Sequence, residues 1–194
     1  MRLARTVADT VAMALGSLRL RETLRHQSIR DALTGLFNRR YLEETLDREL
    51  ARVRREHKPL GVMMLDLDHF KAFNDALGHE AGDKILRAVA NVLRANARAE
   101  DIVCRYGGEE FIMILPDASL TITLGRAELI CQAVRALGDD FRSGGAAAVT
   151  ISIGVAGFPE HGDKGADIIR MADATLYQAK RAGRDQVLAA VSAI

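Results

Sequence analysis

The segment Arg105-Tyr106-Gly107-Gly108-Glu109-Glu110-Phe111 carries the densest chemical signal in the chain. A glycine pair between strand-like segments is a hairpin signal, because both central residues of a type I′ turn need φ > 0. Glu109 and Glu110 follow at once, and an apolar run, Phe111 to Leu115, follows them. The acids therefore stand at a strand end, on the rim of a sheet, where carboxylate oxygens can hold a hard cation such as Mg²⁺. Taken alone, the same residues fit a solvated acidic hairpin tip. A second acidic site shifts the balance. Gly61 to Leu65 is an apolar run too short for a typical helix, so it reads as a buried strand. It ends in Asp66-Leu67-Asp68, and alternation puts Asp66 and Asp68 on one face. Lys71 follows. Clustered carboxylates beside a cationic side chain suit two-metal phosphoryl transfer, where attacking and leaving oxygens must both be stabilised. The structural alternative is strand-end solubility, with Asp68 capping a helix.

The elements that must position these acids alternate along the chain. A helix is predicted over about 39–56 and a strand from Pro59 to Leu65. A second helix covers about 81–96, with Ile85, Val89 and Val92 on one face. A strand near Ile102–Arg105 meets Phe111–Leu115 through the Gly-Gly turn. A helix over 120–137, a strand over 149–156 and a helix over 166–181 follow, with Gly183 as a helix-ending glycine. A short strand near 186–188 closes the series. Mixed strands and helices with a hairpin predict a layered α/β (α+β) domain. Residues 1–28 stand apart as a helix over about 3–28. Val7, Val11, Ala14 and Leu18 recur there at coiled-coil spacing until Arg21 interrupts the seam. The division expected is an N-terminal signalling or dimerisation helix over 1–28 and a catalytic domain over 29–194.

Composition bounds the function. The 194 residues fit one domain with an appendage, and 48% apolar residues support a sizeable core. A formal net charge of +1 gives no broad attraction to nucleic acid. No basic aromatic stretch is present to stack bases. Cys104 and Cys131 make no disulfide framework and fit a reducing, cytoplasmic setting. No segment reaches the ~18 apolar residues of a membrane span. A membrane tether is expected only upstream.

The chain resembles the GGDEF domain family, the diguanylate cyclases, with Gly107-Gly108-Glu109-Glu110-Phe111 as the signature variant. Five further motifs carry the resemblance, in order, from about 28 to 187. They are Asp31-Ala32-Leu33-Thr34-Gly35-Leu36 with Asn38-Arg39-Arg40; Asp66-Leu67-Asp68-His69-Phe70-Lys71 with Asn74-Asp75; Gly78-His79 with Gly82-Asp83; Ser152-Ile153-Gly154-Val155-Ala156; and Tyr177-Gln178-Ala179-Lys180 with Gly183-Arg184. The resemblance implies a central mixed, largely antiparallel sheet flanked by helices, like the palm of nucleotidyl cyclases. It implies condensation of two GTP molecules into cyclic di-GMP with release of two pyrophosphates. Mg²⁺ is the implied cofactor, with Mn²⁺ as a substitute, and a homodimer of half-sites is the implied active form.

The resemblance assigns roles residue by residue. Asp66 and Glu109 are implied Mg²⁺ ligands, with help from the Leu67 carbonyl. Glu110 is implied either as a ligand of the second metal or as an aid to deprotonating the 3′-hydroxyl. Phe70 is implied to offer backbone N–H groups, and Lys71, Lys180 and Arg184 to contact phosphates. Asn74 and Asp83 are implied guanine readers. Without the family, Asn74 reads as a helix cap, Asp83 as a helix-start acid, and Lys180 with Arg184 as helix-end cations.

Arg98-Ala99-Glu100-Asp101 lies at the spacing of the family's product-inhibitory Arg-x-x-Asp site. Arginine suits guanine because its fork pairs with O6 and N7. The alternative is a surface ion pair. A further family arginine aligns with Leu129, and Arg126 stands one turn short, so product is expected to bind more weakly or in another dimer arrangement, with reduced feedback. The rival to catalysis is an idle module that binds cyclic di-GMP or GTP as a receptor. An upstream sensor domain is the expected partner in cis.

Overall fold

The computed structural model describes residues 29–140 and 149–191. The predicted N-terminal helix and the Gly144-Gly145 stretch lie outside them. Six strands and five helices are described: β1 (Phe37–Asn38), α1 (Arg39–Arg55), β2 (Leu60–Leu67), α2 (Phe70–Leu77), α3 (His79–Ala95), β3 (Ile102–Arg105), β4 (Glu110–Pro116), α4 (Leu120–Asp140), β5 (Ile151–Phe158), α5 (Gly165–Arg181) and β6 (Val187–Ala189). The strands form one sheet in the order β1-β3-β4-β2-β5-β6. The inner pairs β3–β4, β4–β2 and β2–β5 are antiparallel, and the edge pairs β1–β3 and β5–β6 are parallel. The mixed, largely antiparallel sheet expected from sequence is therefore present.

Both faces of the sheet are covered, which explains why its strands read as continuous apolar runs. Met63, Leu65 and Leu67 of β2 join Phe111, Met113 and Leu115 of β4 in a core closed by α2, α3 and α4. Val62 and Met64, with Ile112 and Ile114, face the opposite way into a core closed by α1 and α5. This alternation decides where the acids go. Asp66 falls in the row of Met64 and therefore on the α1/α5 face, and Glu110 is its cross-strand partner in register. Cys104 and Cys131 are buried free thiols.

Two elements differ from the sequence expectation. β1 is only two residues long and was not anticipated. Helix α2 fills residues to which the sequence pattern assigns no element. Its Phe70 and Phe73 are buried at helical spacing. Neither Asp68 nor Asn74 caps it: the cap position belongs to His69, at φ 57°, with no side-chain cap bond. Asn74 lies inside the helix, and Gly78 stands at the start of α3.

Candidate active site

The signature loop is shaped by contacts rather than by a type I′ turn. Among the described residues the positive-φ glycines are Gly35, Gly78, Gly162 and Gly183, so Gly107 and Gly108 do not adopt the expected turn. The N–H groups of Tyr106 and Gly107 both donate to the Glu110 carbonyl, at 2.8 and 3.2 Å. A Cβ at Gly107 would meet the end of the Glu110 carboxylate, so a larger residue there would push that side chain aside. Arg105 ties the loop down. Its guanidinium donates to the Gly108 carbonyl at 2.7 Å and to both Asp31 oxygens at 3.2 Å. Burial pushes the Asp31 pKa up, but hydrogen bonds from Thr34 and the nearby Arg105 outweigh it and hold the carboxyl below its ordinary range. Arg39 of α1 lies over the Tyr106 ring at 4.6 Å, a second brace on the same loop.

The acids converge. Asp66 pairs with Glu110 across β2 and β4, and the Leu67 N–H reaches the Glu109 carbonyl at 3.3 Å. Asp66 is 5% exposed, and Lys180 of α5 places its Nζ 2.8 Å from Oδ2. Burial raises the Asp66 pKa to about 6. Lys180 opposes that rise, while the negative charges of Glu109 and Glu110 add to it. Among the described residues, no three acidic, histidine or cysteine side chains stand as a ready-made metal cage. The donor chemistry still fits Mg²⁺. The ion takes hard oxygens, and it is commonly held by one or two carboxylates plus substrate phosphates rather than by an all-protein cage. Lys180 supplies the positive charge beside Asp66 in this arrangement.

Around this centre lie the remaining predicted residues. Phe70 opens α2 directly after the acidic end of β2, and its ring is buried in the core. The helix N-terminus brings free N–H groups and a partial positive charge to that spot, a natural seat for phosphate. Lys71 is exposed in its first turn. Asn74 carries a buried Oδ1 with no hydrogen-bond partner. Its carboxamide presses on Gly82, where any Cβ would collide with it. Asp83 stands one residue on from Gly82, half exposed, with Arg87 4.0 Å away. Arg184 is exposed at φ 62° just past α5. A cleft of about 620 Å³ between α1 and α5 opens beside Glu110 and is edged by Tyr106, Arg170 and Asp173.

The Arg-x-x-Asp segment departs from its expected pairing. Arg98 is exposed, and only its backbone N–H donates to Asp101, at 2.6 Å. The cation on Asp101 is Arg126 of α4, at 2.6 Å, with the Asp101 side chain fully buried. Arg126 therefore reaches the site that helix spacing placed one turn away. Asp101 Oδ1 and Arg126 Nη1 are both buried without a partner. Leu129 is 57% exposed and does not contribute.

Sequence reasoning missed the function of Asp68. It faces neither solvent nor a helix cap. Its carboxylate accepts from Thr150 Oγ1 and Ser152 Oγ, each at 2.7 Å, and from the Asp185 N–H at 3.1 Å. No local signal points to these bonds, because their partners lie more than eighty residues away.

Comparison with known proteins agrees with this geometry. A family described as "Diguanylate cyclase, GGDEF domain" matches residues 28–186. Diguanylate cyclase DosC of Escherichia coli (strain K12) is 42% identical over 183 residues, which is 93% of this chain and 40% of that protein. Response regulator PleD of Caulobacter vibrioides is 41% identical over 173 residues, 87% of this chain and 38% of that protein. The chain thus spans about two-fifths of the length of these curated relatives. Among solved structures, the coiled coil and GGDEF domain of DgcB from Caulobacter crescentus, in complex with c-di-GMP, is 34% identical with a TM-score of 0.88. The match covers 98% of this chain and 100% of that one. Diguanylate cyclase SiaD of Pseudomonas aeruginosa, in complex with its activator SiaC, gives a TM-score of 0.79 at 38% identity, over 97% of this chain and 72% of that one. With acids paired across β2 and β4 and the family pattern matched over most of its length, the chain belongs to the GGDEF domain family of diguanylate cyclases.

Proposed function

We propose that this chain is a catalytic half-site that joins two GTP molecules into cyclic di-GMP and releases two pyrophosphates. The observation that carries the reading is the register pairing of Asp66 with Glu110, beside Glu109, at the strand end that opens α2. Asp66, Glu109 and the Leu67 carbonyl would hold Mg²⁺, or Mn²⁺ in its place. When bound, the ion would neutralise triphosphate charge and lower the pKa of the attacking hydroxyl. Glu110 lies on the side of the cleft, where it would ligate a second ion or accept the 3′-hydroxyl proton. The backbone at Phe70 and the side chains of Lys71, Lys180 and Arg184 would orient the triphosphate.

Guanine selection follows from Asn74 and Asp83. The carboxylate of Asp83 accepts from N1–H and the exocyclic amine, and the orphaned Asn74 Oδ1 needs a donor. Adenine lacks the N1–H and the 2-amine, so it would leave the Asp83 carboxylate without those donors. One chain provides one such set, so each turnover needs two copies with their nucleotides in line. The helix of residues 1–28 is the proposed pairing element, supported by the solved relative that joins a coiled coil to a GGDEF domain. An upstream sensor would act through it. No helix among the described residues is long and apolar enough to cross a membrane, and the domain is proposed to work in the cytoplasm. Product would bind at Arg98 and Asp101, with Arg126 replacing the arginine missing at Leu129.

The test is direct. Protein, GTP and Mg²⁺ are incubated and cyclic di-GMP is sought by chromatography. Glu110→Ala should abolish product and leave the melting temperature nearly unchanged. Turnover at the wild-type rate in that variant would refute the assignment. Product binding without any turnover in the parent chain would favour the receptor reading instead.

A further inference from the structure

Asp68 is enclosed at the end of β2, and no cation pairs with it among the described residues. Thr150 and Ser152 orient its carboxylate, and the remaining bond crosses the molecule to the Asp185 N–H at 3.1 Å. Asp185 is gripped from the other side by Arg135 of α4, whose Nε lies 2.8 Å from Oδ2 and whose Nη2 lies 3.3 Å from the carbonyl. Between Gly183 and β6, Arg184 and Asp185 have φ of 62° and 47°. Two consecutive left-handed residues that are not glycine persist only where their surroundings fix them. Here the surroundings are the Asp68 carboxylate, the Arg135 guanidinium and the Ala179 carbonyl, which takes the Arg184 N–H at 3.1 Å.

We propose that Asp68 and Arg135 are positioning residues for the phosphate contact at Arg184, and that Asp68 is not a metal ligand. This rests on the reading of Arg184 as a triphosphate contact. Asp68 stands two residues from Asp66, so its bond to Asp185 anchors the Arg184–Asp185 turn at the acid-bearing end of β2. A carboxylate oxygen is a strong acceptor for that N–H. Arg135 closes the turn from α4 and stops it from swinging away. The cation is thus held in place before the nucleotide arrives, which lowers the ordering cost of binding.

The test compares two ligands by calorimetry. One is the α,β-methylene analogue of GTP with Mg²⁺, which cannot react at the bond that breaks. The other is guanosine, which has no phosphate. Asp68→Asn and Arg135→Ala should each weaken the analogue by about ten-fold or more, the scale usual for groups that orient a ligand's contacts. Guanosine affinity should stay within about two-fold, and adding Arg184→Ala to either variant should cost little more, because the residues act as one unit. Arg135 is 49% exposed in its side chain, so its variant should fold and decides the matter if Asp68→Asn does not. Equal losses for both ligands would reduce Asp68 and Arg135 to general scaffolding and overturn the inference. A weakened Arg184→Ala beside unaffected Asp68→Asn and Arg135→Ala would overturn it too, and would leave the Arg184 reading intact. An unaffected Arg184→Ala would remove the phosphate contact itself, and the inference with it.

Discussion

Asp66 should be a liability for folding in the absence of metal, and its replacement by asparagine should stabilise the chain. The carboxyl is 5% exposed, and burial lifts its pKa from 3.8 to about 6 despite the ammonium of Lys180. A raised acid pKa means that the native state binds the proton more tightly than the unfolded chain. Between about pH 4 and pH 6 the folded form therefore holds more protons, and stability falls as pH rises through that window. Each pKa unit corresponds to about 1.4 kcal/mol, so the rise to about 6 costs about 3 kcal/mol once both states are ionised. Asparagine mimics the protonated acid in shape. It frees Lys180, which is 32% exposed in its side chain and can turn to water.

The expected result, in excess chelator, is that Asp66→Asn is more stable than the parent at pH 8 by up to about 3 kcal/mol, or about 10 °C in melting temperature. The gap should shrink towards zero near pH 4. Added Mg²⁺ and nucleotide should stabilise the parent and not the variant, because ligands that bind only the folded form shift it by mass action. Urea melts across that pH range measure the gap. A variant less stable than the parent at pH 8, or a gap that ignores pH, would show that Lys180 already compensates the buried charge.

Three other outcomes follow from the geometry. Arg105→Ala should destabilise the domain by about 2 kcal/mol, since it strips a partly buried Asp31 of its cation and unties the Gly108 carbonyl; denaturant melts check this, and activity should fall further than stability does. Arg126→Ala should weaken cyclic di-GMP binding by about ten-fold or more in calorimetry, because Arg126 is the cation that holds the Asp101 carboxylate, at 2.6 Å, in the proposed product site; unchanged affinity would place the product elsewhere. Mixing the parent chain with excess Glu110→Ala should accumulate the linear dinucleotide pppGpG with one pyrophosphate, since one intact half-site closes one bond; its absence at partial activity would argue against two independent halves.

How much of this was legible depended on the range of each interaction. The β2 run from Gly61 to Leu65 announced a buried strand, because both faces are covered and no polar alternation remains to be seen. For the same reason its true end at Leu67 was blurred by the acids. Helix α2 was hidden by length and by its cap. Eight residues led by a left-handed His69 show no capping signal, although Phe70 and Phe73 at helical spacing could have exposed it. The acids at 66, 109 and 110 were legible because strand ends and turns are local features. The Asp101–Arg126 pair and the Asp68–Asp185 bond were not, since they join residues 25 and 117 positions apart. The glycine pair was legible as a turn and misleading about its type. Gly107 leaves room for the Glu110 side chain that folds over it, a contact that turn statistics do not contain.

On the proposed function, the two faces of the sheet would let such a domain be switched by assembly. Asn74 and Asp83 belong to α2 and α3 on one face, while Asp66, Glu110 and Lys180 gather on the other, with α1 and α5. A nucleotide read by the first set and activated by the second would bend around the end of β2, and its reactive phosphate would lie at the rim, beside the cleft at Glu110. An open rim excludes little water and provides no attacking hydroxyl of its own. On the proposed function, a second loaded domain would supply both the missing wall and the missing nucleophile. Whatever sets the distance between two such rims would then set the rate, without altering a single bond within either site.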